Sequence, residues 1–116
     1  ETAAHLQHDG RITVMFNSYT RNPLILRLYG RGTTIAPDSK DGADLSAHFP
    51  ALPGVRQIIS IDVESVQTSC GYGVPEMELV SERQTLIKWA EKHGPEGLAR
   101  YRALNNQVSI DGLKIR

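Results

Sequence analysis

A chain of 116 residues has room for one hydrophobic core, and a hydrophobic fraction of 40% places it among globular rather than disordered sequences. Thirteen basic residues balance thirteen acidic ones, so no net charge steers the chain toward nucleic acid or an anionic membrane, and neither partner is expected. No apolar run nears the roughly 20 residues of a membrane span, no signal-peptide pattern is present, and a single cysteine excludes an internal disulfide; the expected location is the cytoplasm.

Good helix formers in ETAAHLQH predict a helix over residues 1–8, closed by Asp9-Gly10, with Ala3 and Leu6 on one face. The chain opens without methionine inside this helix, and a fragment, a processed chain or a shortened gene product is expected. Arg11 to Tyr19 alternates, with Ile12, Val14 and Phe16 forming a buried face. Thr20 to Pro23 is a turn. The strand from Leu24 to about Ala36 turns Leu24, Leu26 and Leu28 one way and Ile25, Arg27, Tyr29 and Arg31 the other. Gly30 and Gly32 predict a sharp bend in this second arm of a hairpin.

After a loop at residues 37–42, Leu45 and Phe49 at i,i+4 spacing predict a short helix over Ala43 to Phe49, stopped by Pro50. A long strand from Val55 to about Thr68 carries Ile59, Ile61 and Val63 on one face and Ile58, Ser60, Asp62, Glu64 and Val66 on the other. Ser81 and Gln84 have capping-box spacing at the head of a helix over Glu82 to His93, with Leu86, Trp89, Ala90 and His93 on one stripe. Gly94-Pro95 stops it, a second helix follows from about Glu96 to Gln107, and the tail turns at Asp111-Gly112. The order is that of an α+β fold rather than an alternating parallel one.

Chemistry concentrates where the long strand ends, at SCGYGVP. Cys70 is the sole thiol, but the four histidines fall on predicted helices far away in sequence, so a buried, inert thiol is the simpler reading. His5 and His8 share a helical face beside Asp9, yet the spacing supplies too few ligands for a zinc site; exposed histidines and no metal are expected. Gly71-Tyr72-Gly73 lacks the third glycine of a dinucleotide fingerprint, leaving either a tight turn or a turn pressed against a planar ligand with Tyr72 as its lid. Arg27 and Arg31 share a strand face, which is either solvated or a phosphate contact, the former being commoner. Trp89 reads as a core or interface anchor.

The runs HLQHDGRITVMF, LRLYGRG and VRQIISIDVESVQTSCGYGVPEMELV together resemble the pyridoxamine 5′-phosphate oxidase-like proteins. The later run ERQTLIKWAEKHGPEGLARYRALNNQVSIDGL resembles the C-terminal helices of an uncharacterised branch of that superfamily. The resemblance covers nearly the whole chain and implies a single domain over residues 1–116, a partial antiparallel split β-barrel with C-terminal helices, apparently lacking its N-terminal strands. It also implies a homodimer with flavin mononucleotide (FMN) in interfacial clefts. The family's phosphate-binding Arg-Lys pair falls on Glu1-Thr2, where only Thr2 can donate and the glutamate opposes a dianion; its second-strand glutamine falls on Ile25, and its tryptophan near Ser69. Oxidation of pyridoxamine phosphate is therefore not expected.

The residues the resemblance places at the cofactor are Thr2 at the phosphate, Asn17 and Ser18 at its polar edge, Arg27 at an anionic group, and Ser69, Cys70 and Tyr72 along the ring. The expected function is that of an FMN-binding, oxidoreductase-like protein of unknown substrate. The alternatives are a truncated dimerisation module without cofactor, and a protein that binds flavin, a related cofactor or haem without turnover.

Overall fold

The computed structural model describes residues 1–115; Arg116, the last residue of the tail, lies outside them. In chain order the elements are α1 (Thr2–His8), β1 (Arg11–Asn17), β2 (Leu24–Ile35), α2 (Lys40–Ser46), β3 (Ile58–Cys70) and α3 (Thr85–Asn105). The three strands form one open antiparallel sheet in the order β1-β2-β3, so the α+β partial barrel expected from sequence is what the chain builds.

The hairpin closes with Ser18 N–H donating to the Leu24 carbonyl, which ends β1 at Asn17 rather than Tyr19. Its register pairs Ile12 with Gly30, Val14 with Leu28 and Phe16 with Leu26. Along β3 the pairing slips by one residue: Tyr29 faces Ser65, whereas Gly30 faces Val63. Glu64 is the extra residue of a β-bulge, and the slip reverses the sidedness of everything after it. Val66, Thr68 and Cys70 thus join Ile59, Ile61 and Val63 on one face, which corrects the polar setting expected for Val66. Gly30 is what permits the bulge, because a Cβ there would lie 2.2 Å from the Asp62 carbonyl oxygen. β3 starts at Ile58, where pairing with Ile35 begins, and runs on to Cys70 opposite Leu24.

The helices depart further from expectation. α2 begins at Lys40 rather than Ala43, because the Ser39 hydroxyl caps it by accepting from Gly42 N–H at 3.0 Å, and it stops at Ser46 with Phe49 left exposed. Ser81 caps nothing: residues 75–84 are irregular and the helix starts at Thr85 without a side-chain cap. Here Met77 N–H donates to the Tyr19 carbonyl, holding the segment along the hairpin, and a helical turn without a face to pack gains too little to form. At Gly94 the backbone leaves the helical region (φ 61°, ψ 176°), so α3 is two helices meeting at the Gly94-Pro95 break that the sequence predicts, with Trp89 edge-on to Tyr101 at 5.1 Å across it. Leu86 lies outside the buried stripe at 73% exposure; Ala90 and Leu98 are the buried residues, set against Gly54, whose carbonyl also accepts from Arg102.

The core is thin. Among the described residues the buried apolar side chains are Ala4, Leu6, Ala90 and Leu98. Leu6 packs over Gly32 and beside Ile12, closing one end of the apolar sheet face. The hairpin end of that face is open, with Phe16 at 53% and Val66 at 60% exposure, so the alternation expected to bury Phe16 forms without a cover. The chain exposes 9363 Å², against about 6,300 Å² for a folded monomer of its mass. Its radius of gyration is 17.0 Å, against about 13 Å for a compact chain of this length.

Candidate functional site

The face of the sheet opposite the leucines carries the polar groups. On β2 it presents Ile25, Arg27, Tyr29 and Arg31, flanked by Thr13, Met15 and Asn17 of β1 and by Ser65, Gln67 and Ser69 of β3. Arg31 is engaged, donating to the Asp9 carbonyl at 2.7 Å and to the Glu64 carboxylate at 3.4 Å. Arg11 is engaged too: its guanidinium and backbone N–H both bind the Asp9 carboxylate, at 2.7 Å for the closest contact. The side-chain hydrogen bonds from Arg11 hold the Asp9 carboxyl below its ordinary range, and Asp9 in return raises the Arg11 guanidinium.

Arg27 differs from both. It is half-buried between Met15 and Gln67, and it donates to the Ser69 hydroxyl at 3.1 Å. Among the described residues it has no carboxylate partner. A guanidinium directed by a hydroxyl and without a carboxylate partner keeps free donor positions, in the geometry that suits bidentate contact with an anion. Tyr29 stands beside it, its hydroxyl donating to Gln67 Oε1 at 3.1 Å.

The turn after β3 lies at the same end of the sheet. Val74 N–H donates to the Gly71 carbonyl, and the buried Gly71 packs against Pro23 and Leu24 of the hairpin turn. Tyr72 projects from this turn at 84% exposure, a free aromatic surface beside the hairpin. Asn17 and Ser18 close the hairpin at this end, with the Ser18 and Thr20 hydroxyls 3.1 Å apart. Five of the residues proposed from sequence, Asn17, Ser18, Arg27, Ser69 and Tyr72, are thus gathered at the hairpin end.

The other two are set apart. Cys70 is exposed rather than buried, and its register opposite Leu24 puts it on the apolar side of the sheet, away from Ser69. Thr2 belongs to α1, which packs at the Gly32 end, and Gly32 is five residues from Arg27 along β2, about 17 Å. Glu1 beside it is committed to the C-terminal turn, its carboxylate accepting from Ile110 N–H at 3.0 Å. His5 Nε2 lies 3.0 Å from Asp111 and 3.9 Å from Glu1, so His5 pairs with the tail rather than with His8. These three exposed groups tie α1 to the tail by polar side-chain contacts.

A cleft of about 530 Å³ opens on the polar face toward α1, lined by Asp9, Arg11, Thr13, Tyr29 and Glu64. None of the seven residues proposed from sequence lines it. Tyr29 joins it to the Arg27 site, and its alternation with Arg27 and Arg31 was the available signal.

The fold and this surface define an α+β protein built on an open antiparallel sheet, apolar on one face and carrying an unneutralised arginine on the other. The chain is 35% identical to the pyridoxamine 5′-phosphate oxidase family protein ustO of Aspergillus flavus over an alignment of 128 residues, covering 97% of this chain and 51% of that protein. It is related to the pyridoxamine 5′-phosphate oxidase family along nearly its whole length, and it spans about half the length of the curated relative it matches. No family model and no solved structure matches it. Among the described residues, no helix is long and apolar enough to cross a membrane.

Proposed function

We propose that this chain is an FMN-binding, oxidoreductase-like protein acting as a homodimer, with the anionic end of the cofactor held at Arg27. The observation that carries the reading is the half-buried Arg27 guanidinium, directed by Ser69 and without a carboxylate partner. The family relationship supports it, since flavin is the cofactor that the resemblance implies. Arg27 binds the phosphate, Ser69 orients Arg27, Asn17 and Ser18 meet the cofactor's polar edge, and Tyr72 covers the ring. Thr2 and Cys70 reach the same cofactor only from the second subunit, because one lies at the far end of the sheet and the other on its opposite face. Bound flavin supplies the electron-transfer chemistry, while the chain supplies position and charge.

Titration with FMN, followed by quenching of flavin fluorescence, tests this reading. Saturable binding is expected, weakened about tenfold or more in Arg27→Ala, the usual range for a lost charged hydrogen bond. A colourless dimer that ignores FMN contradicts the reading and favours a dimerisation module without cofactor.

A further inference from the structure

We propose that Gln67 is a second donor of the anion site and that Tyr29 is the positioning residue that sets it to donate. The inference rests on the reading of Arg27 given above and concerns the neighbours that leave its guanidinium available to a phosphate. Arg27 stands in a row across the polar face, between Met15 of β1 and Gln67 of β3. Directly opposed residues on one face of an antiparallel pair have Cβ atoms about 5 Å apart, so these side chains are neighbours. A thioether is a weak acceptor, and Met15 offers the guanidinium little. The Gln67 carbonyl oxygen is the one strong side-chain acceptor in the row, and the natural partner for Arg27.

Tyr29 holds that oxygen instead. Arg27 reaches one pair toward the hairpin end, to Ser69 opposite Ile25, and Tyr29 reaches one pair the same way, to Gln67 opposite Arg27. The Tyr29 hydroxyl donates to Gln67 Oε1 at 3.1 Å. Turned to the tyrosine, the oxygen does not cap the guanidinium, and the amide is fixed with its NH2 group as the end it can offer. Among the described residues that NH2 group has no partner.

Gln67 is exposed and Arg27 half-buried, so an oxyanion arriving from solvent can reach both. A phosphate dianion presents only acceptors, which suits a guanidinium beside an amide whose own acceptor is already engaged. A neutral amide at the surface gains little against water by itself. Gln67 therefore adds to the charge of Arg27 and does not replace it.

Titrations with FMN and with riboflavin test the proposal on the parent chain, Arg27→Ala, Tyr29→Phe, Gln67→Ala and the Tyr29→Phe/Gln67→Ala double variant. Tyr29→Phe and Gln67→Ala are each expected to weaken FMN about fivefold, the range of one hydrogen bond, and to leave riboflavin unchanged. The double variant is expected to lose no more than Gln67→Ala alone, because Tyr29 acts through Gln67. Losses that multiply to about 25-fold would make the two residues independent and overturn the positioning role. A pair that merely joins two strands would lower the melting temperature in these variants and leave the ratio of the two affinities untouched, which also overturns the proposal. A preference for FMN that is lost in Arg27→Ala but kept in full in Tyr29→Phe and Gln67→Ala leaves the Arg27 reading standing and removes Gln67 from the site. A parent chain indifferent to the phosphate overturns both. Nuclear magnetic resonance of the 15N-labelled parent chain gives an answer without a variant: the Gln67 side-chain NH2 signals are expected to shift with FMN and not with riboflavin. Signals that move with neither flavin, or equally with both, overturn the proposal.

Discussion

Replacing Gly30 by alanine strikes the bulge that sorts the sheet into an apolar and a polar face. A Cβ at this position falls 2.2 Å from the Asp62 carbonyl oxygen and 3.0 Å from both the Asp62 carbonyl carbon and Ile61 Cγ2. The first contact is about 1 Å or more inside ordinary van der Waals separation, and its partner is backbone, which cannot rotate away. We expect a cost of about 2–4 kcal/mol, at or above the usual range for overpacking. With an unfolding entropy of about 2.1 cal/mol/K per residue, that is a fall in melting temperature of roughly 8–16 °C. Gly32→Ala is the comparison, since its Cβ meets side-chain methyls of Leu6 and Ile12, at 2.9 Å for the nearest, and about 1 kcal/mol is expected. Thermal melts by circular dichroism, run at several fixed protein concentrations because association raises stability by mass action, read both variants. A Gly30→Ala protein melting within about 2 °C of the parent would falsify the bulge and the face assignments built on it.

Leu6→Ala removes the side chain that closes the Gly32 end of the apolar face; at 7% exposure it is expected to cost about 2–5 kcal/mol in urea unfolding. An effect below about 1 kcal/mol would mean that α1 does not dock there. The Asp9 carboxyl is held below its ordinary range in the folded state, first by its side-chain hydrogen bond with Arg11. The contribution is therefore complete above the unfolded carboxyl value and lost as pH falls through the lower folded one. An NMR titration is expected to place the Asp9 midpoint below 3.8, rising toward that value in Arg11→Ala, and an unmoved midpoint refutes the pairing.

The local rules were legible where periodicity alone decides. Period-two alternation located β1 and β2, and Arg27 was correctly set among the polar face residues by its parity with Tyr29. Parity failed across Glu64, because a bulge depends on how Gly30 meets Asp62 in space, and nothing in IDVESV alone signals a slip. Val66 was assigned to the wrong side for that reason, and Cys70 was expected to be buried on a face that stands open. The Ser81 cap failed through tertiary competition, since the Met77–Tyr19 hydrogen bond holds the segment just before it against the hairpin. The Arg27–Ser69 contact joins residues 42 positions apart, a distance that becomes a hydrogen bond only once the register of β2 and β3 is set.

A comparison of FMN with riboflavin, measured on the parent chain and on Arg27→Ala, isolates the cofactor's phosphate as the group Arg27 holds. The parent chain is expected to prefer FMN by about 10–100-fold, as one charged hydrogen-bonded contact provides. Arg27→Ala is expected to bind the two flavins alike, with riboflavin affinity unchanged from the parent. Equal affinity of the parent chain for FMN and riboflavin, or a preference that persists without Arg27, contradicts the assignment of the anion site.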